Sequence, residues 1–371
     1  MSMNLRTRLG SVASLAAVAL VGSALFGSST ASATSGHGGR PVTVYTQTND
    51  LTGNQVLAFR EGTAGTLTPV GSYPTGGLGS GDGLGSQGAV VLSPTRSQLF
   101  VVNAGSDTVS VFRVAPDGSL TNQGQVASGG DRPVSVTVAD GFGYVLNAAS
   151  LSVGSFRYDG HGVAATGDAG APLGAGAAAP AQVSLTPDGR QLLVTEKASN
   201  TVDVLSVSHG RIGPPRTSPS SGATPFGFAF TDNGVAVVSV AASAAAETFT
   251  IDRQGQASMV DLESTGGQGA PCWVAVTRNG IAFTANAAAN SISSFRVGRR
   301  GELTLLNSRA AATDPHPTDT ALGARDTRLY NLSDRGGAID ASTVHPDGSL
   351  TGTVAAVQGL PTTITGLAAT G

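Results

Sequence analysis

The chain has 371 residues, of which 52 are glycine, 18 are proline and only 12% are charged, a composition too turn-rich for a helical protein and suited to an all-β array. Its net charge is −3, and no basic stripe is interleaved with aromatics, which argues against nucleic acid as a partner.

Arg6 and Arg8, the apolar stretch from Leu9 to Phe26 and the small residues Ala31-Ser32-Ala33 read as a secretory signal peptide over 1–33, cleaved after Ala33. Gly22 and Ser23 interrupt the apolar part, so no membrane span is expected in the mature protein, which is expected outside the cell. No cysteine follows the apolar part, which excludes a lipoprotein anchor. Loss of 1–33 removes two arginines and no acid, leaving 19 basic against 24 acidic side chains, a charge of −5. Residues 34–41 are Gly- and Ser-rich and read as a flexible mature N-terminus. Cys272 is the only cysteine, so stability must come from packing rather than disulfides.

From Val42 to about Tyr73 three strands follow one another. The glycine run Gly76–Gly85 lacks a following helix and reads as a flexible rim loop, with Asp82 as a weak cation candidate. Then a unit recurs, opened by Gln87, Pro133, Pro180, Pro225, Pro271, Pro317 and Pro361, at intervals of 46, 47, 45, 46, 46 and 44 residues. A period of about 40–50 residues signals a repeat architecture, and four short strands fit in one unit. Helical repeats are excluded because Leu99–Phe112 and Ile281–Phe295 are each two β-rich runs divided by a small, polar turn.

Each unit parses as strands A, B, C and D. Thr186-Pro-Asp-Gly189, Ser93-Pro-Thr-Arg96, Thr231-Asp-Asn-Gly234 and Thr277-Arg-Asn-Gly280 are A-to-B turns, and Ala115-Pro-Asp-Gly118 and His345-Pro-Asp-Gly348 are C-to-D turns. These features predict a single domain over 42–371, a seven-bladed β-propeller with four-stranded antiparallel blades. Six blades are complete. The seventh (blade 1 here) joins the N-terminal strands to the tail Pro361–Leu367 as its strand A, closing the ring and leaving no open edge. The mature protein is expected to be a monomer that acts on a small-molecule substrate or ligand.

Alternating strand direction puts B-to-C and D-to-A loops on one face, where a binding funnel is expected at the channel mouth. The end of strand B carries Asn103, Asn147 and Asn286 in three units but Glu196 in a fourth, and Lys197 after it is the only lysine among 21 basic residues. Glu196 is the candidate general base, and Lys197 and Arg132 are candidates to hold a substrate carboxylate or an oxyanion. Alternatively, Thr195-Glu-Lys197 is a solvated turn with an incidental ion pair. His316, in Asp314-Pro-His-Pro-Thr-Asp319, can titrate near neutral pH, with Asp319 orienting a partner, or it is a rigid loop residue between two prolines. Gln87 and Gln182 are candidate substrate-binding residues. Cys272 and Trp273 read as packing. No G-x-S-x-G, H-E-x-x-H, P-loop or clustered Cys and His occurs, and the scheme requires no cofactor or metal.

Leu99–Phe112, Gln191–Leu205 and the turn Leu185–Gly189 resemble the bacterial lactonase family of seven-bladed propellers, which includes 6-phosphogluconolactonase-like and 3-carboxymuconate cyclase-like proteins. The resemblance runs from about Val42 to Leu367. It implies a channel-mouth site in which a glutamate at the end of strand B, matched by Glu196, works with His and Arg on neighbouring strands. The Pro-His or Pro-Arg pair of such enzymes is replaced by Pro180-Ala181 and Gln87-Gly88, with His316 and Arg132 as partial substitutes. Export argues against a cytosolic phosphosugar as substrate. The resulting expectation is hydrolysis or isomerisation of a small lactone or carboxylated ring. The alternative is a non-catalytic propeller that binds a ligand or cell-envelope component.

Overall fold

A computed structural model describes residues 42–167 and 170–370; the expected signal peptide and residues 34–41 lie outside them. Seven antiparallel sheets form the seven blades, six of them with their strands in sequence order from the channel outward. In blade 1 the order is Thr365–Ala369, Thr43–Gln47, Gln55–Glu61 and Leu67–Pro74, so the C-terminal strand closes the ring as expected. Blade 3 departs slightly, with its outer strand broken into Val163–Ala165 and Ala171–Pro172.

Each opening proline from Pro133 to Pro317 is the first residue of its strand A. Proline suits that place because it supplies no ladder N–H and its partner strand ends opposite it. Pro361 does not follow suit. It starts a turn, with Ile364 N–H bonding its carbonyl, and the strand begins at Thr365. The spacing of 44 residues matched the proline type but not the register.

Turn chemistry fixes the A-to-B connections. Gly189, Gly234 and Gly280 have φ of 69°, 87° and 77°, and each donates its N–H back to the Thr that starts the turn. Alternating apolar residues of successive sheets interlock between blades, with Phe100, Phe156, Phe228, Phe249, Phe283 and Phe295 fully buried. Among the described residues no helix is long and apolar enough to cross a membrane.

The glycine run is a correction. Leu78 and Gly79 bond the B-to-C loops of blades 2 and 1, and a Cβ on Gly79 would lie 2.0 Å from the Asn49 carbonyl carbon. Asn49 also ties Ser80 and Asp82. Here glycine permits close backbone approach, and the run is a pinned strap rather than a flexible rim.

Candidate functional site

The residue before each proline-led strand A is left-handed: Arg132, Ala179, Thr224, Ala270 and His316 have φ between 51° and 63°. Three of these receive a cap from the preceding blade, where Asp107, Asn200 and Asn290 side chains accept the N–H of Arg132, Thr224 and His316. The carbonyls of Arg132, Ala179, Thr224 and Ala270 accept an N–H from the B-to-C loop of their own blade. These paired loops form one face of the ring and present Arg132 and His316 from equivalent backbone positions.

His316 Nδ1 lies 2.7 Å from Asp334 Oδ1, on the B-to-C loop of blade 7. With Nδ1 held by the carboxylate, Nε2 is the nitrogen left to meet a ligand. The pair borders a cleft of about 380 Å³ shared with Trp273, Arg335, Thr318 and strap residues Asp82–Ser86. Two other hollows, of about 500 and 580 Å³, lie among A-to-B and C-to-D turns on the opposite face and involve the turn-forming residues themselves.

Trp273 of the lining belongs to an aromatic floor that extends beyond the cleft. The Phe226 and Trp273 ring centroids are 5.0 Å apart, and Lys197 Nζ sits 4.8 Å over the Phe226 ring. The Lys197 ammonium bonds the Gly85 carbonyl of the strap, and the Trp273 indole N–H bonds the Ser86 carbonyl at 2.8 Å. Burial holds the Lys197 ammonium below the usual lysine range; Cys272 raises it and Arg132 lowers it further. Among the described residues neither Lys197 nor Arg132 forms an ion pair with a carboxylate.

Glu196 is placed otherwise than expected. It is 1% exposed, and its Oε2 accepts from Ala178 N–H at 3.3 Å, Ser199 Oγ at 2.9 Å and Thr201 Oγ1 at 3.3 Å. Consecutive residues thus face opposite ways, Glu196 into its blade and Lys197 onto the mouth. Burial and the adjacent Asp203 carboxyl push the Glu196 carboxyl up to about 7. Asn103 and Asn286 play a comparable part, joining strands B and C through Thr108 and Ser110, and Ser291 and Ser293.

Gln87 and Gln182 are likewise occupied. Gln182 exchanges two hydrogen bonds with the Phe228 backbone of the next blade. Gln87 does the same with Val274 of blade 6. Asp319 is 2% exposed in strand A of blade 7, too buried to orient a residue at the mouth. No group of three or more His, Cys, Asp or Glu that could hold a metal exists among the described residues, Asp82 included.

Asp334 and Arg335 were missed in the sequence, yet a signal for Asp334 existed. The residue after strand B is Ala104, Ala148, Ala241 and Ala287 in four blades, but Lys197 in blade 4 and Asp334 in blade 7. The comparison that singled out Glu196, moved one residue on, finds both polar groups at the mouth.

Comparison with known proteins agrees with this architecture. A search of the curated proteins returned no match. Among solved structures the chain is similar to a putative 6-phosphogluconolactonase from Bacteroides uniformis, at 16% identity and a TM-score of 0.72 over 88% of this chain and 98% of that one. It is also similar to the periplasmic gluconolactonase of Pseudomonas aeruginosa, at 18% identity and a TM-score of 0.69 over 85% and 94% of the two chains. The profile of the family described as "Lactonase, 7-bladed beta-propeller" matches the overlapping spans 44–169 and 89–268. With more than half its length matched and its ring closed by seven blades, the chain belongs to the lactonase family of seven-bladed β-propellers.

Proposed function

We propose that this protein is a lactonase that opens a small lactone ring in the cleft beside His316. The observation that carries the proposal is the His316–Asp334 pair, whose outer nitrogen borders a cleft of ligand size. In this scheme His316 Nε2 takes a proton from water as its oxygen bonds to the lactone carbonyl carbon, and Asp334 stabilises the imidazolium. Arg335 offsets the negative charge on the tetrahedral oxygen. As the ring C–O bond breaks, the imidazolium returns its proton to the departing oxygen, giving the hydroxy acid. Lys197 and Arg132 hold an anionic group at the far end of the aromatic floor, and Glu196 fastens the loop beneath Lys197 instead of activating water. Export by the 1–33 leader belongs to the same proposal, and similarity to a periplasmic gluconolactonase supports an unphosphorylated substrate.

A second reading, ligand binding without turnover, draws support from the sequestration of Glu196. Purified protein assayed on a panel of γ- and δ-lactones separates the two. The lactonase reading expects turnover that falls by about 10²- to 10⁴-fold in His316→Gln. Lactone binding without hydrolysis favours the second reading, and turnover untouched by the substitution overturns the first.

A further inference from the structure

Strand C of blades 4, 5 and 7 carries a buried acid at its third residue: Asp203, Glu247 and Asp340. Each accepts backbone N–H groups from the D-to-A loop leading into its blade. Gly174 bonds Asp203, Ser221 and Gly222 bond Glu247, and Asp314 bonds Asp340. At Glu247 the arrangement is complete, because Ser220 Oγ satisfies the other oxygen.

The other two acids face a second acid. Glu196 and Asp203 are diagonal neighbours on one face of strands B and C, and the Asp314 amide bonds Asp340, so each acid has the other's charge beside it. In each pair one buried carboxyl oxygen has no partner, Glu196 Oε1 in blade 4 and Asp314 Oδ2 in blade 7. Two neighbouring buried carboxylates resist being ionised together, and an orphaned buried acceptor costs free energy. A single proton between the partners removes both costs.

We propose that each pair holds one shared proton as a pin, and that loss of these protons loosens the D-to-A loops of blades 4 and 7, making the channel mouth pH-sensitive. Both loops serve the mouth. Lys197 N–H bonds Ala179 at the end of the first loop, and the second carries His316. The groups facing the first pair are Ser199, Thr201, Thr217 and the Gly174 and Ala178 amides; those facing the second are Ser333 and the Asp314 amide. Among the described residues no basic side chain forms an ion pair with any of the four acids. Nothing nearby therefore replaces the proton. Burial and the neighbouring acid push Glu196 and Asp340 each up to about 7, which places the loosening around neutral pH.

The test is thermal unfolding of the full chain from pH 5 to pH 8.5, for wild type, Glu196→Gln, Asp340→Asn and the double variant. An amide donates a hydrogen bond to the partner acid at any pH and so replaces the pin. Burial raises Asp319 and Glu247 as well; both are kept in every variant and contribute a common background. The proposal expects the two single variants to flatten the fall in Tm with pH and the double variant to flatten it most. A double variant as steep as wild type overturns it. Should the variants fail to fold, hydrogen exchange on the unaltered chain decides. The expected result is exchange at Gly174 and Ala178 faster at pH 9 than at pH 6 by about tenfold or more beyond the intrinsic pH effect. Exchange that follows the intrinsic rate alone overturns the proposal.

Discussion

Gln87 and Val274 exchange two hydrogen bonds between blades 2 and 6, with Nε2 donating to the Val274 carbonyl at 2.7 Å and the Val274 N–H donating to Oε1 at 2.9 Å. The Gln87 N–H also bonds the Ala181 carbonyl of blade 4 at 3.2 Å. One residue thus joins strand A regions of three non-adjacent blades. It occupies the place where other units have proline, because a proline has neither this side chain nor an N–H to give.

Gln87→Ala leaves the Val274 N–H and carbonyl buried without partners. Each such group costs about 1–3 kcal/mol, so a loss of about 2–6 kcal/mol is expected in urea unfolding. Gly227→Ala should be similarly harmful, since its Cβ would lie 2.2 Å from Gln87 Oε1 and 2.6 Å from the Cys272 carbonyl. Unchanged unfolding midpoints would show that the cross-channel brace contributes little.

Deleting 361–371 removes the innermost strand of blade 1 and leaves Thr43–Gln47 as an open edge. The truncated protein is expected to lose its cooperative melt or to melt far below the full chain in calorimetry. A transition as sharp and as high as that of the full chain would refute closure by the tail.

Cys272 lies 8% exposed in strand A of blade 6, where burial pushes its thiol up to about 12 against the opposing pull of Lys197. Almost no thiolate exists at neutral pH, so iodoacetamide should label the native protein hardly at all and the urea-unfolded protein stoichiometrically. Rapid native labelling at pH 7.5 would contradict this burial.

Burial pushes the Asp319 carboxyl up to about 8, although the Gly366 N–H it accepts pulls the other way. Because this lies above the value in the unfolded chain, the folded protein binds the proton more tightly. The contribution of Asp319 to stability is therefore full below the ordinary carboxyl range and is lost as pH climbs toward about 8. Asp319→Asn should be more stable than wild type at pH 8, on the order of a few kcal/mol, with little difference near pH 4. Urea midpoints at the two pH values check this, and an equal difference at both would exclude titration of Asp319 as the cause.

The blades were legible because their determinants are local. Thr186-Pro-Asp-Gly189 states its turn in four residues, and the strands beside it alternate with the period of the pleat. His316 was legible as an exception in a loop, but its partner Asp334 lies 18 residues on, and only the blade's antiparallel pairing brings them together. Glu196 stands out in the sequence against Asn103, Asn147 and Asn286, but its burial does not. The change from amide to carboxylate reflects Asp203 and the Ala178 amide, which its own strand does not reveal.

By itself the sequence determined a repeat of four strands, its turns, the number of blades and the closure of the ring, since each follows from short-range backbone preference multiplied by a period. Only the tertiary structure decided which polar residues meet. Gln87 finds Val274 across 187 residues of chain, and Glu196 and Lys197, adjacent in sequence, part to opposite sides of a loop. The physical reason is that burial and hydrogen-bond satisfaction at the mouth are set by several blades at once, and no single repeat carries that information.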